Sequence, residues 1–284
     1  METISINKAQ GTCPVMFGEV LFDHFPDGDV VLGGAPFNVA WHLQAFAKAP
    51  VLVSRVGNDA LGHQIRPTGT VDVTFKDSEP SYHIVENRAW DFINDQLLPP
   101  LDSVALLYHG SLALRSPVSR HAFEVMQQYH EVPVFIDINL RDPWWRRDDA
   151  LSLLQRARWA KMNEGELALL LPDLDGPGQR AKALLEDYAL EWVLVTLGDK
   201  GAQAYMAAGE TLSVAPDRST VVIDSVGAGD AFASVLILGL LNNWSMQLTL
   251  QRAQAFASSI VGVRGATVSD TAFYQQFYKD WDLV

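Results

Sequence analysis

The chain has 284 residues, of which 48% are apolar and 19% charged; these proportions exclude a disordered or fibrous chain and leave one large α/β domain or two small ones. A formal net charge of −13 repels phosphate backbones and anionic headgroups, which argues against nucleic-acid and membrane partners, although clustered N–H groups or arginines can still hold a phosphate locally. The single cysteine, Cys13, excludes an internal disulfide, no Cys/His spacing suggests a zinc site, and the lack of a secretory pattern or bilayer-length apolar run leads us to expect a cytoplasmic protein.

In chain order, the first informative segment is VLGGAPFNVAWHLQAF from Val31, where Gly33 and Gly34 precede a helix containing Asn38. Between Thr70 and Val85 the text alternates polar and apolar residues around KDSEP, which predicts an antiparallel pair with one wet face, a small lid or flap. From Val104 onward short apolar runs alternate with amphipathic stretches, the βαβ signature of a mostly parallel sheet. VALLYHG, VPVFIDIN, RWAKMN and WVLVT are the predicted strands, with helices starting near Pro117 and Asp149 and after Asn163, a plausible N-cap. No repeat, low-complexity tract or linker divides the chain.

The strongest local signal is VVIDSVGAGDAFASVLILGLL from Val221. It reads as a β-branched strand, a turn at Gly227-Ala228-Gly229, and an apolar helix. Such a turn converges backbone N–H groups at the positive end of the helix dipole and makes an anion hole. Asp230, in the first turn, is placed to accept a proton from an attacking hydroxyl; alternatively it only complements the dipole. Asp137, Asn139 and Arg141 in IDINLR fall at a strand end, where open parallel sheets gather ligands. For Arg141 the competing role is a surface ion pair with Asp142 or Asp148. His109, also at a strand end, reads as structural. No Walker A, G-x-S-x-G or H-E-x-x-H string occurs.

The ordered set GG-x-x-x-N-x-A, RVGNDALG from Arg55 and DSVGAGDAF from Asp224 resembles the ribokinase, or PfkB, family of carbohydrate kinases. FGEVLFD from Phe17, GGAPFNVA, PTGTV, AWDFI, DINLR and KMNEGE are similar to its fructokinase branch. The resemblance implies a three-layer α/β/α ribokinase-like fold over residues 1–284, with a mostly parallel central sheet and a small β lid from about residues 22–32 and 68–91. It implies transfer of the ATP γ-phosphoryl group to a sugar hydroxyl, fructose being the expected acceptor. Asp230 then matches the base and Gly227, Ala228 and Gly229 the anion hole. Asp23, Gly33, Gly34, Asn38 and Arg141 match the sugar side, and Thr196, Gly198 and Gly201 in VTLGDKG the nucleotide side. Asn163 and Glu166 match an N-x-x-E pair associated with magnesium and phosphate organisation, and Asp224 a ligand for a monovalent cation such as potassium. A homodimer would form through the lid.

One departure stands out: after GNDALGHQIR the family carries a further helix end and strand, whereas here Arg66 meets Pro67 directly. A true deletion would expose a buried parallel unit, so the expectation is that a segment is absent at this junction. Rival functions are a family kinase with another acceptor (a keto-deoxy sugar acid, ribose, a nucleoside or a sugar phosphate) and a silent sugar-binding module. An anionic acceptor would want cations near the lid, where Arg88 is the candidate.

Overall fold

The computed structural model describes residues 12–57, 68–76, 79–98, 103–130, 132–217 and 221–283. From the N-terminus the chain forms β1 (Cys13–Phe17), β2 (Leu21–His24), β3 (Val30–Gly33), α1 (Ala35–Ala45), β4 (Val51–Val53), β5 (Gly69–Lys76) and β6 (Glu79–Ile84). It continues through β7 (Val104–Gly110), α2 (Pro117–His130), β8 (Val134–Asp137), α3 (Arg147–Leu154), β9 (Trp159–Asn163), α4 (Glu164–Leu170), α5 (Gly176–Asp187) and β10 (Trp192–Thr196). The last part is β11 (Ala202–Met206), β12 (Thr211–Val214), α6 (Ala228–Asn242), α7 (Met246–Ile260) and α8 (Thr271–Asp280).

Strand alternation explains the layers. Successive residues of a strand point to opposite faces, so Val15 and Phe17 of β1 join one core and Met16 the other. The same split recurs along the sheet: Leu106, Tyr108, Phe135, Trp159 and Trp192 pack with α1, α6, α7 and α8, while Ile136, Ala160, Met162 and Val193 pack with α3, α4 and α5. The sheet runs β12-β11-β10-β9-β8-β7-β1-β4. It is parallel from β10 to β4 and antiparallel at the β11 and β12 end. This is the expected three-layer α/β/α arrangement. α6 is sandwiched between the sheet and α7, and every residue from Ala231 to Leu240 is buried.

A second sheet, β3-β2-β5-β6, stands apart from the first. β5 and β6 pair antiparallel, as their period-two pattern requires, and β2 runs parallel to β5. Leu21, Val71 and Ile84 pack it onto Trp90, Leu112 and Ala113. Arg115 is clamped beside this cluster, stacked on Trp90 and Trp144 at 4.4 and 4.3 Å and paired with Asp91 at 3.0 Å.

The strand expected at Val221 is not formed. Residues 221–227 run as coil, pinned by Ile223 and Asp224 N–H groups donating to Val261 O. β12 is the last strand at that end of the sheet, and the β-branched run is held by Val261 instead of pairing with it. Val221, Val222 and Ile223 are 74%, 65% and 64% exposed. The Arg66–Pro67 junction lies outside the described residues; among them β4 is the last strand at its end of the sheet.

Candidate active site

The residues singled out by sequence gather at the C-terminal edge of the parallel strands. Gly227 has φ 78 and caps α6, and a Cβ there would lie 2.4 Å from Ala266 Cα, so only glycine permits this turn to close against the 264–266 loop. The next N–H groups meet helix-start rules: Ala231 N donates to Gly227 O at 2.8 Å and Ala228 N reaches Ser225 O at 3.4 Å, while the N–H groups of Gly229 and Asp230 have no acceptor among the described residues. Asp230 is half-buried. Its Oδ2 accepts from Asn38 Nδ2 at 2.7 Å, which ties α1 to α6. Burial raises the Asp230 carboxyl to about 6 against the pull of Asn38, Asp137 adds to the rise, and Lys161 and Arg141 oppose it.

Beneath this turn the sheet register supplies a charged floor. Asp137 of β8 pairs directly with Lys161 of β9, and both fall on the α6 face by alternation with Phe135 and Trp159. The Lys161 ammonium donates to Asp137 Oδ2 at 2.6 Å, with the side chains only 6% and 5% exposed. Tyr108 of β7 donates to the same oxygen at 3.4 Å. Lys161 Nζ lies 3.5 Å from where a side chain on Gly229 would begin.

At the start of α1, Gly34 has φ 110 and its Cα sits against the Glu19 carbonyl, a 2.5 Å approach for any added Cβ. A Cβ on Gly33 would lie 3.0 Å from Asp23 Oδ2, so the paired glycines keep the space beside the Asp23 carboxylate and the Glu19 backbone clear. Burial pushes Asp23 up to about 6, with Arg141 and then His24 opposing. Glu19 is 3% exposed, its Oε2 has no partner among the described residues, and burial raises it to about 7. Arg141 acts on Glu19, Asp23 and Asp230 together. It is not paired with Asp142, which instead accepts from Trp145 Nε1 at 2.7 Å. A carboxyl raised in the fold stabilises the protein below its unfolded pKa of about 4.5, and that stability is lost as pH rises through about 7. Glu19→Gln should therefore raise the unfolding midpoint near pH 8 and leave it unchanged near pH 4, as read by calorimetry at the two pH values.

On the opposite side, Asn163 caps α4: its Oδ1 accepts from Glu166 N at 2.8 Å and Glu166 Oε2 accepts from Asn163 N at 2.8 Å. Glu166 Oε1 accepts from Leu140 N at 2.8 Å, which anchors the segment leading to Arg141. Burial raises the Glu166 carboxyl. Thr196 lies across from Asn163 in register. Gly198 begins a single 3-10 turn, and Gly201 folds so tightly that its Cβ would meet Val214 O. Val214 and Ala215 are thereby held at the rim of a crevice of about 640 Å³ lined also by Val221, Ile223, Ala255 and Ser258. The exposed apolar run from Val221 and the small residues of α7 thus wall one groove. Asp224 accepts from Val226 N at 3.0 Å and Gly265 N at 2.9 Å, fastening the turn to the 264–266 loop. His109 is buried, donates from Nδ1 to Gly110 O at 2.9 Å and packs on Phe123, a structural arrangement. A separate cavity of about 500 Å³ around Arg115 and Trp144 contains none of the residues named on either side of the cleft.

Residues 67–272 match the pfkB family carbohydrate kinase model. The chain belongs to the PfkB family of carbohydrate kinases. It is 28% identical to a fructokinase of Klebsiella pneumoniae over 79% of this chain and 83% of that protein. It is also similar to the apo crystal structure of a fructokinase from Vibrio cholerae O395, with TM-score 0.74 and 27% identity over 88% of this chain and 97% of the other. A fructokinase from Xylella fastidiosa with bound ATP has the same fold at TM-score 0.82, with 19% identity over 96% and 99% of the two chains.

In this PfkB kinase, then, Asn38 is bonded to Asp230, Gly33 lies against Asp23, and Arg141 acts on both Asp23 and Asp230; Asn163, Glu166, Thr196, Gly198 and Gly201 lie at or just beyond the ends of β9 and β10. Sequence reasoning passed over Glu19, Tyr108 and Lys161. For Lys161 a signal existed: a lysine alternating with Trp159 points to the buried face of a strand, where an unpaired charge is not tolerated.

Proposed function

We propose that this kinase transfers the γ-phosphoryl group of ATP to the 6-hydroxyl of fructose, with Asp230 as general base. The observation that carries the reading is the position of Asp230: its carboxylate is held by Asn38 beside two unused N–H groups at the start of α6. An acceptor hydroxyl there would give its proton to Asp230 as its oxygen attacks phosphorus. The Gly229 and Asp230 N–H groups and the α6 dipole would face the transferring phosphoryl oxygens. Phosphoryl transfer asks mainly for such alignment and charge neutralisation.

A neutral polyol suits the acceptor side. Glu19, Asp23 and Asp230 face Arg141 as the cation acting on all three, a balance that disfavours a phosphorylated or carboxylated acceptor. Vicinal hydroxyls would donate to Asp23 and to the unpartnered Oδ1 of Asn38. Fructose is supported by the relatives named fructokinase and by a double mutant of the Vibrio cholerae O395 fructokinase solved with fructose, ADP and potassium. ATP would lie along the Thr196–Gly201 turn, its adenine in the groove of Ala255 and Ser258. Magnesium bound with ATP would offset phosphate charge; Glu166, whose oxygens both accept backbone N–H groups, would organise it through the Leu140 and Asn163 backbone rather than as a bare ligand. Asp224 keeps lone pairs for a potassium ion beside the turn.

A panel of free hexoses and pentoses, ribose, adenosine, a keto-deoxy sugar acid and fructose 6-phosphate, scored for ATP-dependent ADP release, tests the reading. Fructose should show the highest kcat/KM, with magnesium required. Preference for ribose, adenosine or fructose 6-phosphate would overturn fructose as acceptor while sparing the kinase.

A further inference from the structure

A buried ion pair is an expensive thing to build unless it serves a purpose, since desolvation of two charges offsets most of their attraction. The Lys161–Asp137 pair lies in the sheet directly under the Gly229 turn, at 2.6 Å and almost fully buried. Its two members come from adjacent strands in direct register, so the backbone fixes them opposite each other. We propose that Lys161 and Asp137 are positioning residues: together they keep the floor of the transfer site electrically neutral, so that Asp230 is the carboxylate left free to exchange a proton.

The surroundings make the balance matter. Asp230 is faced by Asn38 from α1, Glu19 from the β1–β2 connection, Tyr108 from β7, Asp137 and Arg141 from β8 and the segment after it, and Lys161 from β9. Glu166 of α4 also feels both members of the pair. Asp137 and Lys161 act on Asp230 in opposite senses, the first favouring and the second opposing its proton. With both present the two oppose each other. With either alone, Asp230 would sit beside an uncompensated buried charge, and neighbouring charges of this kind move a carboxyl by about 1–3 pH units.

This inference rests on Asp230 being the base, but its test does not depend on turnover. In ligand-free protein labelled at side-chain carboxyl carbons, the Asp230 resonance is assigned by its loss in Asp230→Asn and titrated by NMR. Asp137→Asn should move the Asp230 titration down by about one pH unit or more, because Lys161 is then unopposed. Lys161→Met should move the first protonation of the Asp137–Asp230 couple up, whichever carboxyl takes the proton. The double variant Lys161→Met/Asp137→Asn should return Asp230 to near its original titration. Thermal unfolding of the same proteins reads the separate cost of breaking the pair. If Lys161→Met does not fold, Asp137→Asn and the double variant still decide. An Asp230 titration that stays in place in Asp137→Asn, or that the double variant fails to restore, reduces the pair to a structural one. A wild-type chain that releases no ADP with any sugar would instead overturn the proposed function and leave this titration standing.

Discussion

Asp230→Asn should lower kcat by about 10²–10⁴-fold, the range for removing a positioned proton acceptor, with ATP affinity little changed. Asparagine keeps the shape of the side chain and can still accept from Asn38, so the α1–α6 link at 2.7 Å is retained. Stability should not fall. The ionised carboxylate is disfavoured by burial, its proton affinity raised to about 6, so near neutral pH the amide removes a cost and should raise the unfolding midpoint. For the wild type the same shift gives the sign of the pH profile: activity rises as pH increases through about 6, where Asp230 gives up its proton. Single-turnover phosphoryl transfer and thermal denaturation on one preparation check both halves. Transfer within about tenfold of wild type would remove Asp230 from the role of base.

Gly227→Ala should be nearly as damaging, by a different route. A side chain is disfavoured at φ 78, and the new methyl would meet Ala266 Cα and Cβ at 2.4 Å. Backbone strain of this kind costs about 1–3 kcal/mol. The alternative, displacement of the 264–266 loop, breaks the Gly265 N–H bond to Asp224 and moves the N–H groups that would face phosphate. Lower thermal stability together with at least about 10²-fold loss of kcat is expected, the size seen when one oxyanion donor is removed. An alanine variant with wild-type kcat would mean that the turn does not act on the transferring group.

Much of the architecture was legible in the sequence because its signals are local. Pro117, Asn163 and the period-two stretch at 70–85 specify their own neighbourhoods, and all three act as expected: a helix start, a cap bonded to Glu166, and an antiparallel pair. The segment at Val221 misled because β-branched composition reports a preference, not a pairing partner. Here the run is held by Val261, and Val221 and Ile223 line a groove. The Asp137–Lys161 pair was hidden for another reason. Each residue sits in a motif that draws attention to different positions, and only the register between β8 and β9 brings them face to face. Glu19 was missed because a glutamate two residues past a strand is usually solvated, and nothing local announces that Gly34 will fold over it.

The bonds that close the site also set when it can exist. Asn38 reaches Asp230 across 192 residues of chain, and His42, on the same helix, reaches Ala266 and Tyr274 across 224 and 232. α1 is therefore made early and finds its partners only when α6, the 264–266 loop and α8 have been synthesised. Contacts of such long sequence separation form late and slowly. On the ribosome, the parallel strands and α3 to α5 can come together while the sheet face that α6, α7 and α8 cover is still bare, so a nascent chain that stops before α6 lacks one layer of the fold together with the Asn38–Asp230 link.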